Sequence, residues 1–292
     1  MPNNRYLLIT AARNEEAYIR KTLESVVSQT QWPVRWLIVS DGSTDRTDEL
    51  VLEFALRYDF IQLLHLENGS TRSFSSKAFA LNAGYDAIKH LAFDWLGFLD
   101  ADISLPANYY EVLMTMFNTQ PDLGLAGGTI VENRNGQWEV RASHSLTDVG
   151  GQMQLFRRKC YDDVGQFVPL QWGGEDTVAN FLARRRGWQV HVFHDLRVCH
   201  HRQTGTEGAT VCRARFRNGL CDYYLGYHPI FELAKCFRRL FEPPWGIGSL
   251  LRFCGYTWPV LLQQKPSMSA DFVRYIRRRQ IQKLLLRAGG DA

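Results

Sequence analysis

The chain has 292 residues, 45% hydrophobic and 22% charged, with a formal net charge of +4. That length holds one large α/β domain with an appendage, or two modest domains. The composition is that of a globular protein without low-complexity tracts or repeats, and so mild a charge gives no reason to expect a nucleic-acid partner, which needs a concentrated basic face.

The first hundred residues alternate in period. "RYLLITAA" reads as a buried strand, and Ile19, Leu23, Val26 and Val27 then recur at helical spacing over 15–29. "VRWLIVS" is a second strand, ending at Asp41-Gly42-Ser43-Thr44-Asp45, and the helix after it turns Leu50, Phe54 and Leu56 inward, with Ser43 or Asp45 as N-cap. "FIQLLHL" is a third strand, the polar loop "ENGSTRSFSS" leads to a helix from Lys77 to His90, and "WLGFLD" is a fourth strand. Strand and helix alternating through short connections predict a largely parallel, doubly wound sheet. Further on, "LGLAGGTIV", "QMQLFRR" and "WQVHVF" read as strands and "EDTVANFLARRRG" as a helix. Beyond Cys212 the pattern becomes three or four helices broken by Pro229, Pro243-Pro244, Pro259 and Pro266, with a boundary near residue 210.

Doubly wound sheets bind ligands at the carboxyl ends of their strands. Arg13-Asn14-Glu15, Asp41-Gly42 and Asp100-Ala101-Asp102 all fall there. Two carboxylates one residue apart repel, and the usual remedy is a hard divalent cation that also takes phosphate oxygens. Asp100 and Asp102 therefore suggest a metal bridging the protein to a diphosphate. Asp41 suits a base N–H, or an Asx-turn capping the next helix. The N–H groups at Arg13-Asn14-Glu15 suit a phosphate or ribose oxygen, or simple N-capping. Lys77 is a cation for a phosphate or a surface lysine.

In order and spacing, "TAARNEEAYI", "IVSDGSTDRT", "KAFALNAG", "FLDADI" and "WGGED" resemble the family 2 glycosyltransferases over about residues 5–205. The resemblance implies a GT-A type fold, α/β with a doubly wound, mostly parallel sheet. Its nucleotide half would be 1–103 and its acceptor half 104–210, with a helical C-terminal extension over 211–292. It implies inverting, non-processive transfer from a nucleotide-diphosphate sugar, a UDP-sugar first, to a carbohydrate or lipid-linked hydroxyl; "RARFRNG" is not the QxxRW of processive synthases. By position, Ala12, Asn14, Glu15, Asp41, Lys77 and Asp100 would meet the donor. Asp102, with Asp100 and His201, would hold Mn²⁺ or Mg²⁺. Asp176 would be the general base with Glu175 beside it, and Gly151, Gln154, Arg157 and Trp172 would face the acceptor.

The physics fits that implication. Inversion needs a base opposite the leaving group, and a carboxylate at a helix N-terminus stays ionised. Glu175-Asp176 also suits helix capping, Trp172 a core position, and the His200-His201 pair simple packing. A haloacid-dehalogenase-type phosphatase shares the D-x-D but wants Thr after the second Asp, where Ile103-Ser104 stand. A non-catalytic nucleotide-sugar binder stays open.

The six cysteines form no CxxC, which fits a reducing compartment and a cytoplasmic setting. No window of about 18 apolar residues lacks a charge, so no spanning helix is expected. "FELAKCFRRLFEPPWGIGSLLRFCGYTWPVLL" and "FVRYIRRRQIQKLLLR" mix aromatics and leucines with arginine, as helices lying on a membrane do, or helices capping a domain.

Overall fold

A computed structural model of the chain describes residues 4–66, 74–134, 136–141, 145–202, 211–242 and 244–288. They form two compact units, Met1–Pro169 with Glu175–Gln203, and Leu170–Gly174 with Thr204–Ala292.

In the first unit β1 (Tyr6–Ala12), α1 (Ile19–Val27), β2 (Arg35–Ser40), α2 (Thr47–Ala55), β3 (Ile61–His65), α3 (Phe74–Ile88) and β4 (Trp95–Leu99) alternate. Then come β5 (Ile103–Ser104), α4 (Tyr109–Thr119), β6 (Leu123–Arg134), β7 (Gln137–Val140), β8 (Met153–Arg157), α5 (Arg158–Val164), α6 (Glu175–Arg185) and β9 (Gln189–His200). The sheet runs β3-β2-β1-β4-β8-β6-β9-β5, with β7 on β6. Strands β1, β2, β3, β4, β6 and β9 point one way, and β5, β7 and β8 the other.

Strand alternation divides the core. Tyr6, Leu8, Trp36 and Ile38 face α1, α2 and α4 through Leu23, Val26, Phe54 and Phe117. Leu7, Ile9, Leu37 and Val39 face α3, α5 and α6 through Ala78, Leu81, Tyr161 and Ala183. Because both faces are covered, these strands read as unbroken apolar runs.

Three departures from the expected elements have a local cause. Helix α1 starts at Ile19, not at residue 15, because 13–16 are held to the segment after β2. Leu56 is not inward but the exposed C-cap of α2. Pro259 does not break its helix: it is buried one turn from the end, where little remains to disrupt.

The second unit contains α7 (Val211–Tyr224), α8 (Pro229–Arg238), α9 (Ile247–Leu261) and α10 (Ala270–Ala288). Helices α7 and α9 meet backbone to backbone: a Cβ on Gly219 would collide with the Arg252 carbonyl, and one on Gly255 with the Phe216 carbonyl. Beside that crossing lies a buried ionic cluster. Arg252 Nε donates to Glu232 at 2.7 Å, Lys235 donates to Asp222 at 2.7 Å, and Arg252 also pairs with Asp222.

Candidate active site

A cleft of about 230 Å³ opens at the carboxyl ends of β1, β2 and β4, lined by Ala12, Glu15, Asp41, Lys77, Asp100 and Asp102, and also by Arg13 and Ser76. Its floor is fixed by side chains bonding to main chain across two turns. The N–H groups of Asn14, Glu15 and Glu16 donate to Ser43 (3.3 Å), Thr47 (2.7 Å) and Asp45 (3.1 Å). Asn14, at φ 56°, accepts from the Thr44 N–H at 2.8 Å. The Asn14 and Glu15 N–H groups are thereby engaged within the floor, and the Asn14 side chain holds the second turn. Asp41 stays in the cleft, with the Arg13 guanidinium 3.4 Å away.

The D-x-D aspartates have different surroundings. Asp100 pairs with Lys77 at 2.5 Å. Burial raises the Asp100 pKa against the pull of Lys77. For Lys77 burial opposes the charge, but Asp100, Glu175 and Asp176 outweigh it and hold the ammonium firmly protonated. Asp102 Oδ2 accepts from Arg202 Nε at 3.0 Å and lies 3.4 Å from His200 Nε2. Burial works to raise its pKa, yet His200 and Arg202 bring it below the ordinary value. Asp102 Oδ1 is buried with no hydrogen-bond partner.

A chain of charges extends from Asp102. His200 Nδ1 lies 3.1 Å from Glu132, its strand neighbour. Burial disfavours an imidazolium there, but Asp102 and Glu132 push the pKa up to about 9, so His200 is charged at neutral pH. Arg202 reaches Glu15 at 2.5 Å. Even so, burial first, and the Asp102 charge against the pull of Arg202, leave Glu15 at about 7. The histidine on Asp102 is thus His200. His201 sends Nε2 to Ser104 at 2.6 Å, and burial, with Lys21, lowers its pKa.

At the start of α6, Asp176 accepts from the Gly151 N–H at 3.0 Å and the Thr177 N–H at 2.7 Å. A Cβ on Gly151 would come within 2.9 Å of the Asp176 Cβ, so glycine lets that loop reach the carboxylate. Lys77 Nζ lies 3.5 Å from the Gly151 carbonyl, which ties the loop to the D-x-D. Glu175 is lifted to about 6, by burial first and then by the Asp176 charge.

The acceptor-side expectations divide. Gln154 is buried and donates to the Val149 carbonyl, holding the base of the Gly151 loop. Arg157 is corrected: it pairs in register with Trp95, at the opposite end of β4 from Asp100, caps α4 by donating to the Phe117 carbonyl and also donates to the Leu123 carbonyl at the start of β6. Trp172 belongs to the second unit, where it stacks on Tyr224. Sequence reasoning gave no part to Glu132 and Arg202, read Arg13 only for its N–H group and offered His200 only for packing. For His200 and Arg202 the available signal was the cluster "HHR" at the end of β9.

Among the described residues no group of three or more His, Cys, Asp or Glu makes a ready-made metal cage. The bare, buried Asp102 Oδ1 nevertheless fits a hard divalent cation whose other ligands are phosphate oxygens.

The α/β sheet with paired acids at its strand ends is a scaffold of the GT-A type. The "Glycosyl transferase family 2" model matches residues 7–188, more than half of the chain, and the chain belongs to that family. It is 28% identical over 207 residues to glycosyltransferase AglE of Haloferax volcanii, covering 66% of each chain. It is 27% identical over 203 residues to a poly-beta-1,6-N-acetyl-D-glucosamine synthase of Staphylococcus epidermidis, 63% of this chain and 45% of that one. The chain thus spans between about half and two thirds of the length of these relatives. The mannosyltransferase PcManGT of Pyrobaculum calidifontis, solved with GDP-Man and Mn²⁺, shares the fold at TM-score 0.56 and 14% identity, over 99% of this chain and 88% of that one.

Proposed function

We propose that this chain transfers a sugar from a nucleotide-diphosphate sugar, a UDP-sugar first, to a hydroxyl of a carbohydrate or lipid-linked acceptor. Inversion of the anomeric centre and a place in surface polysaccharide or glycolipid synthesis complete the reading. The observation that carries it is the single cleft holding Asp41, Lys77, Asp100 and Asp102 at the strand ends. The polysaccharide synthase among the relatives supports the product class.

Asp41 takes the base, while Ala12 and Glu15 border the donor. Asp176 accepts the proton of the attacking hydroxyl as its oxygen bonds to the anomeric carbon and the bond to the diphosphate breaks. The carboxylate keeps free lone pairs for this beyond the two N–H bonds that orient it. Glu175 and the Gly151 loop shape the acceptor side, and Lys77 faces the charge growing on the leaving group. A divalent ion, Mn²⁺ or Mg²⁺, held by Asp102 would supply further neutralisation of that charge.

Nucleotide release from UDP-, GDP- and dTDP-sugars, with Mn²⁺, Mg²⁺ or chelator, tests this without a known acceptor. We expect release from one donor, metal-dependent and reduced about 10²-fold or more in Asp102→Ala and Asp176→Asn. Release unaffected by Asp102→Ala refutes the assignment of the metal. No release from any donor, with UDP bound as measured by calorimetry, supports a binder instead of a transferase.

A further inference from the structure

Helix α9 is inside out. Its one charged residue, Arg252, is buried on Asp222 and Glu232, and buried Ser249 donates to the Cys236 carbonyl. The opposite face exposes Ile247 (57%), Leu250 (62%), Trp258 (53%) and Leu261 (75%), with Cys254 exposed among them. Steps of three and four residues put these side chains on one stripe, about 20 Å long. Helix α8 repeats the spacing with exposed Ile230, Leu233 and Phe237, and Phe241 and Trp245 are exposed in the connection. So large an uncovered apolar surface marks an interaction site.

Charge identifies the occupant. Residues 211–292 hold 14 Lys and Arg against 5 Asp and Glu, a net +9, so the first 210 carry −5 of the total +4. Each acid of the described second unit is already paired: Asp222 and Glu232 with Arg252 and Lys235, Glu242 with Arg215 and Arg239, Asp271 with Arg274. Arg238 and Lys265 are exposed beside the stripes. Apolar stripes bearing Trp and Phe beside basic residues match the headgroup boundary of an anionic bilayer. No described helix is long and apolar enough to cross a membrane, so the contact lies in the plane of the surface.

We propose that the outward stripes of α8 and α9 dock into the headgroup layer of anionic phospholipid. The test is flotation of the full chain with vesicles of phosphatidylcholine, with and without one-third phosphatidylglycerol. The chain should float with the anionic vesicles and only weakly with the neutral ones, and salt should weaken binding. Leu250→Glu with Trp258→Glu should raise the lipid needed for half-binding at least tenfold, at unchanged far-UV circular dichroism. If that variant does not fold, an environment-sensitive dye on Cys254 of the native chain gives the second readout, a blue shift on adding anionic vesicles. Failure to float, equal binding to neutral vesicles, or a dimer abolished by the same substitutions would overturn the proposal, the last by assigning the stripes to a second copy.

Discussion

Asp102 is the residue on which the cleft turns, because its two oxygens are treated differently. One accepts from Arg202 and faces His200, and the other is bare and buried. Arg202 therefore has a structural duty that can be measured. Replacing it by methionine leaves Glu15 and Asp102 without their shared cation. Fully buried pairs broken this way cost about 3–5 kcal/mol; Arg202 is 20% exposed, so a loss on the order of 2 kcal/mol is expected in urea unfolding. Adding Glu15→Gln should restore part of it, since the two changes share one interaction. A loss below about 0.5 kcal/mol would place Arg202 outside the network. The acids of this site were legible in the sequence because D-x-D and the Asp41 turn end apolar runs. Of the cations only Lys77 was. Arg202 pairs with a residue 187 positions away, and choosing between His200 and His201 needs strand register, since neighbours on a strand point to opposite faces.

Among the elements, the α7–α9 crossing makes the sharpest demand on sequence. Gly219→Ala would force the helices apart at the Arg252 carbonyl and disturb the ion pairs of that residue. We expect a loss of about 1–3 kcal/mol, seen as a lower unfolding midpoint, whereas Gly187→Ala has open space around its Cβ and strains only its φ of 89°. Equal effects from the two would show that the crossing is not tight. The parallel half could be read because strands covered on both faces are continuous apolar runs and their helices keep a clean period. The antiparallel return of β8 could not, because direction leaves no mark on composition, and that is why Arg157 ended on the far side of the sheet. Nothing in the sequence marks Gly219 and Gly255 as the residues that let α7 and α9 cross so closely.

For the whole molecule, the half-buried acids of the cleft set a pH dependence. Glu175 and Glu15 rise from 4.5 to about 6 and about 7, so the folded state binds their protons more tightly than the unfolded state. The stability they contribute is full below 4.5 and is lost as pH climbs through 6 and then 7. His200 acts in the same direction, its contribution present below 6.5 and lost through about 9. The thermal midpoint of the ligand-free chain should fall from pH 5 to 8, and Glu175→Gln should remove on the order of 1 kcal/mol of that slope. A midpoint that rises over this range would contradict the burial of both acids. Motifs made the first two thirds of the chain legible as a whole. The rest offers only helical periods and arginines, and its inside-out helix could be recognised only once burial was known. The interlocked turns at 13–16 and 43–47 carry a final consequence. A surface whose main-chain donors are already committed has little freedom left to surrender when the nucleotide arrives. Under the proposed function, encounter there is a fit to a set shape: association without a slow rearranging step, with Asp41 meeting the base from a floor that both turns hold in place.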